Sequence, residues 1–223
     1  AIRRQRQMCI RDRQSVLFPV ANSIVQAAVN TMGTDTIAAW GVCDKLDMLI
    51  WLLADAMGPA LTTYTAQNMG AGRWDRVCKG NRIGAAMSVA AVGTVSLGLY
   101  FLTAPLGGLF VPVQDAAAVV PQAVAFMRRM APFFLFYALA ESFSGACCGT
   151  GDTVRPMILT LLSICLLRVL GILLVLPRQH TMECIIDIYI SSWIAAGIGF
   201  LILWQWEKNL SLIHISEPTR QAE

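Results

Sequence analysis

Six stretches of this chain are apolar on every side for about twenty residues or more, and that feature limits the folds open to it. A helix on a water-soluble protein shows an apolar stripe and a polar back; one that is apolar all round belongs inside a bilayer or a large core. The stretches run from about 16–32, 38–66, 83–110, 119–148, 156–176 and 184–206. The third and fourth are long enough to require tilt or extension beyond the lipid. Only 14% of the residues are charged, against about 25% in an average soluble domain, and mean hydropathy is +0.59. Soluble enzymes, disordered chains and nucleic-acid binders are therefore excluded. The pattern predicts an all-α polytopic membrane protein with six transmembrane helices.

The formal charge of +3 points to no basic binding face, because it lies wholly in the two ends. Residues 1–13 hold five arginines and one aspartate, residues 210–223 one arginine and two glutamates, and 14–209 is formally neutral. Back-translated, Gln7 to Arg13 and Leu210 to Ser216 read as reverse complements over about nineteen bases, which unrelated peptides should not do. Both ends resemble translated sequencing adapters. The expectation is that 1–13 and 210–223 are non-native and that 14–209 is an internal slice of a longer chain.

Basic residues in short loops stay on the cytoplasmic side of a membrane. Arg73, Arg76, Lys79 and Arg82 lie between stretches two and three, Arg155 between four and five, and Lys208 after the sixth. The connections at 33–36 and 112–118 carry no base. The expected location is the plasma membrane, with the last helix ending in the cytoplasm beside Trp204 and Trp206. Cysteines show no CxxC spacing, and His180 is the lone histidine of 14–209, so no metal site is expected.

Polar groups within spans are costly and are kept where they meet a cavity or one another. Asn22, Gln26 and Asn30 recur every four residues, as glue between helices or as a substrate-facing wall. Asp44, Asp47, Trp51 and Asp55 fall at i, i+3, i+7 and i+11, one helical face, with Asp55 near mid-span. Glu141 and Arg168 are deep charges on stretches joined by a short turn. They are expected to pair, either structurally or within a gating network. Gly149-Thr150-Gly151-Asp152 resembles the GxGD signature of intramembrane aspartyl proteases, but the second aspartate that such hydrolysis requires has no Tyr-Asp partner motif here. Asp152 reads instead as a cap for the helix entered at Pro156. Gly70-Ala71-Gly72 reads as a turn, since no strand–helix unit follows it.

Lys45-Leu46-Asp47, Gln67-Asn68-Met69-Gly70-Ala71-Gly72 with Arg76 and Gly80, and Gly149-Thr150-Gly151-Asp152-Thr153 followed by Pro156-Met157 together resemble the multidrug and toxic compound extrusion (MATE) family. The resemblance covers 14–209 and corresponds to the second six-helix half. It implies one lobe of a V-shaped secondary transporter that exports organic, often cationic, compounds in exchange for protons or sodium, not an enzyme. The motif residues Lys45, Gln67, Asn68, Gly70, Gly72, Arg76, Gly149, Gly151, Asp152 and Pro156 would be structural; Asn22, Gln26, Asn30, Asp47, Trp51 and Asp55 would line the pathway. Several members carry an acid on the first helix of this half, where this chain has Asn22 and Gln26. No recognisable coupling-ion site and no cofactor are therefore expected in it. Implied partners are the lipid bilayer, small organic substrates and the missing N-terminal lobe, with no nucleic acid. An inactive membrane-embedded fragment and a lipid or polysaccharide flippase of the same superfamily are the alternatives.

Overall fold

The computed structural model describes residues 19–216, of which 210–216 are described by backbone alone. The expectation for residues 1–13, and that part of the C-terminal one beyond Ser216, lie outside the described residues. Helix α1 covers 19–29, α2 Thr34–Gly70, α3 Trp74–Gly107 and α4 Val113–Met130. After a 3-10 turn at Ala131–Phe133 come α5 (Phe134–Thr150) and α6 (Val154–Thr160). A π-helical stretch at Leu161–Leu166 leads into α7 (Leu167–Leu174), and α8 (Met182–Ser216) closes the order. No strand occurs among the described residues. The chain is an all-α, multi-pass membrane protein.

The centre is the pair α2 and α5, flanked by α3 and α8, with α6 and α7 packed on α8. Lipid tails are as apolar as leucine, so helices in a bilayer associate through close packing and interhelical hydrogen bonds, for which small residues are needed. Gly145 and Gly149, one turn apart on α5, supply them. A Cβ on Gly145 would sit 2.2 Å from the Gly58 carbonyl oxygen of α2, and one on Gly149 would sit 2.7 Å from that of Thr62. The Thr62 hydroxyl uses this approach to donate to both the Gly58 and Gly145 carbonyls, at 2.9 and 3.0 Å. Thr65 and Asn81 bond reciprocally between α2 and α3.

Four helical segments are long and apolar enough to cross a membrane: Trp74–Gly107, Val113–Thr150, Val154–Leu174 and Met182–Asn209. The expected count of six is not reached by this measure. Helix α2 is not among the four, with Asp44, Lys45, Asp47 and Asp55 in its first two thirds, and α1 is described over 19–29 only. Helix ends also differ from the apolar limits. Helix α2 overruns the expected 38–66 at both ends, and α3 starts nine residues before the expected 83, at Trp74. Hydropathy marks where lipid begins, whereas backbone hydrogen bonds carry a helix on through basic residues such as Arg76 and Arg82. The stretch 119–148, read as one helix, is continuous within Val113–Thr150 but tightens to a 3-10 turn at Pro132, whose ring removes a backbone donor. Ser96 of α3 donates to the Ala131 carbonyl at 2.5 Å beside that turn. Helix α8 continues to Ser216, beyond the expected limit of 206.

Candidate functional site

A cavity of about 330 Å³ opens among α1, α2, α5, α7 and α8. Helix α2 supplies the largest share of its wall because Trp40, Asp44, Asp47, Trp51 and Asp55 recur at three- and four-residue steps and so share one face. Asn22 and Gln26 enter from α1, Tyr137 from α5, Arg168 from α7, and Tyr189 and Trp193 from α8. Three carboxylates and one guanidinium thus line the same cavity, together with aromatic side chains.

The aromatic rings form a connected group. Trp51 meets Tyr137 edge-on at 4.5 Å between centroids and Trp193 at 5.8 Å, and Trp193 meets Tyr189 at 5.8 Å. A cation is attracted to the π quadrupole of an aromatic face. The Tyr137 hydroxyl donates to Asp55 Oδ1 at 2.7 Å, which holds that carboxylate at the cavity edge. Asp47 is only 7% exposed, and its Oδ1 has no hydrogen-bond partner. The Trp51 side chain, one turn along, interacts with the same carboxylate. A buried carboxylate oxygen without a donor is costly.

Arg168 is the buried cation of the site, 2% exposed. Its Nε donates to Ser192 Oγ at 3.0 Å, its Nη1 donates to Asn22 Oδ1 at 3.3 Å, and its guanidinium lies 4.0 Å over the Tyr189 ring. The expected Glu141–Arg168 pair is not formed among the described residues. Arg168 turns instead toward α1 and α8, where neutral oxygens engage Nε and Nη1 and a ring face lies beneath the guanidinium, while the buried Nη2 has no hydrogen-bond partner. Glu141 turns toward α2, so close that a Cβ on Gly58 would meet its Oε2 at 3.4 Å. The short turn between α5 and α6 makes those helices neighbours without fixing which way each side chain points.

Of the expected pathway residues, Asn22, Gln26, Asp47, Trp51 and Asp55 come together at the cavity, and Asn30 does not. Asn30 lies just past the end of α1 and accepts a hydrogen bond from Gln26 Nε2 at 3.0 Å. Asn22 serves both readings of its stripe, lining the space and bonding a neighbouring helix. Trp40, Tyr137, Tyr189 and Trp193 were not singled out from sequence. An aromatic on an apolar helix looks the same whether it faces core, lipid or cavity.

A family model for MatE matches residues 14–174. The chain belongs to the MATE family. It is also 20% identical over 199 residues to the "Probable multidrug resistance protein YoeA" of Bacillus subtilis (strain 168), covering 87% of this chain and 42% of that protein. The chain therefore spans less than half the length of the curated relative it matches. Apart from Lys45-Leu46-Asp47, whose Asp47 lines the cavity from within α2, the MATE-like motifs sit at helix ends. Gln67 and Asn68 accept backbone N–H groups of Ala71 and Arg73 through their carbonyls at 3.2 and 2.9 Å, closing α2. Gly70 ends that helix and Gly72, at φ +69°, takes the left-handed turn a side chain would disfavour. The Tyr64 hydroxyl donates to the Arg76 carbonyl at 3.0 Å, tying α2 to α3. Lys45 extends over the Phe110 ring at 5.4 Å, toward the turn after α3. In the second MATE motif, Gly149 is the α2 contact already described, and Gly151 is the left-handed cap of α5 at φ +99°. Asp152 Oδ1 accepts the N–H groups of Val154 and Arg155 at 3.1 and 3.3 Å, with Pro156 following in the first turn of α6. The aspartate of the GxGD sequence is thus engaged as a helix cap.

Proposed function

We propose that the chain is one lobe, the C-terminal one, of a secondary transporter that exports organic, often cationic, compounds in exchange for protons or sodium. The observation that carries this reading is the cavity, where Asp44, Asp47 and Asp55 share a wall with Trp51, Tyr137 and Trp193. Carboxylates attract a cation over distance, and ring faces hold it without hydrogen bonds, so charge and flatness in the ligand matter more than its outline. Membership of the MATE family and the multidrug-resistance name of the Bacillus subtilis relative support the same reading. Asp47, buried with one free oxygen, would hold either the organic cation or the ion exchanged for it. Competition for one carboxylate is the simplest coupling of the two fluxes, since each occupant lowers the affinity for the other.

Secondary transporters bind near the midplane between repeats and rock one bundle against the other. The wall described here would face the opposing N-terminal lobe. In the plasma membrane the chain would place Arg73, Arg76, Lys79 and Arg82 and the end of α8 in the cytoplasm, an orientation that the distribution of basic residues supports. The test is transport in vesicles carrying both lobes, with a proton gradient and a sodium gradient imposed in turn. Ethidium is expected to move against its gradient under at least one of them. No movement under either would refute the reading.

A further inference from the structure

Beside the 3-10 turn at Pro132 the bundle turns a second hollow outward, a groove of about 300 Å³ between α3 and the start of α5, far from the acidic cavity in character. Leu97, Tyr100, Phe101, Pro132 and Leu135 line it, and Gly93 leaves its floor open by omitting a side chain opposite Leu135. Leu97 and Phe101 are largely exposed, as side chains that meet lipid are. One end of this groove is charged. Arg128, in the last turn of α4, donates through Nε to the Tyr100 carbonyl at 3.5 Å and lies 5.5 Å over the Tyr100 ring.

Arg128 has no acidic partner among the described residues, whereas Arg129 beside it is held bidentately by Asp187 at 2.8 and 2.7 Å. An arginine at the edge of a lipid-facing surface keeps its charge by reaching water or an anion at the interface. With Nε committed to Tyr100, the two Nη groups of its planar fork match phosphate oxygens. We propose that this groove is a binding site for an anionic phospholipid, one acyl chain lying along Leu97, Phe101 and Leu135 and the phosphate held by Arg128. An acyl chain joined to an anion has the same two-part chemistry as the groove and its end. A further outward hollow, along Leu162, Leu166, Leu170 and Ile188, is also apolar, and among the described residues no basic side chain bonds to or stacks on its lining as Arg128 does on Tyr100, so it serves as an internal comparison without headgroup preference.

The experiment is native mass spectrometry of the chain released from detergent, titrated separately with phosphatidylglycerol and phosphatidylcholine. Phosphatidylglycerol is expected to be retained preferentially, and Arg128→Gln to weaken it about fivefold while Arg178→Gln changes nothing. In parallel, phosphatidylglycerol with a photoactivatable acyl chain is crosslinked to the unaltered chain, which requires no variant to fold. Adducts are expected within 93–101 and 131–135. Equal retention of the two lipids, equal retention by Arg128→Gln, or adducts spread evenly over the groove at 162–191 would each overturn the proposal. The result is independent of whether the cavity transports anything.

Discussion

Asp47 and Asp55 are close in sequence and differ in what their neighbours leave free. Tyr137 already donates to Asp55, whereas Asp47 is buried with one oxygen unmatched. Neutralising Asp47 as Asp47→Asn should therefore weaken binding of a cationic dye by about tenfold or more, the scale of one charge-assisted contact. Asp55→Asn should impair transport more than Asp35→Asn, because Asp35 lies in the exposed first turn of α2, away from the cavity. Equal effects in a vesicle assay would remove Asp55 from the pathway. Arg168 acts differently, as a tie between α1, α7 and α8. Arg168→Ala should lower thermal stability by about 1–3 kcal/mol through orphaned oxygens on Asn22 and Ser192. Arg168→Lys should recover only part, since a single ammonium cannot replace a fork stacked on Tyr189. At this scale the acids were legible because charge inside an apolar run is conspicuous and its spacing fixes a face. The partners of Arg168 were not, because a charge can lie against neutral oxygens and a ring, and sequence offers no signal for these.

At the scale of the helix, the tightest joint is α2 against α5. A methyl group on Gly145 would overlap backbone, which cannot swing aside as a side chain can. Gly145→Ala should destabilise by about 1–3 kcal/mol, read as a fall in unfolding temperature in detergent. Gly98→Ala, with nothing within 4 Å of the new carbon, should be neutral or stabilise by up to about 1 kcal/mol through helix propensity. A matching loss in both would mean that glycine acts through flexibility and not through close approach. Existence of the helices was readable from apolar runs, and Asp152 before Pro156 was readable as a cap. The 3-10 turn at Ala131–Phe133 and the π-helical stretch at Leu161–Leu166 were not. Pro132 resembles Pro59, Pro105 and Pro121, which lie inside unbroken helices, so proline alone does not say where a membrane helix will yield.

In the bundle, acidic, amide and aromatic side chains of several helices meet at one cavity, while faces rich in leucine look outward. Its expected orientation gives a direct check. A cysteine replacing Asp115, near the turn after α3, should react with a membrane-impermeant maleimide added outside intact cells, and one replacing Asp75, beside the basic α2–α3 turn, should not; the reverse pattern would invert the topology. The family was legible from two motifs that close turns, although the residues of those motifs stand apart from the cavity. In the proposed transporter this cavity holds an organic cation through Asp47 and its aromatic neighbours. Trp40, Trp51 and Trp193 line it, so tryptophan fluorescence reports its occupancy. Ethidium titrated into the purified chain should quench that fluorescence saturably, with affinity about tenfold or more lower in Asp47→Asn and within about twofold of the original in Asp35→Asn. Unsaturable quenching, or one affinity shared by all three proteins, would contradict the account.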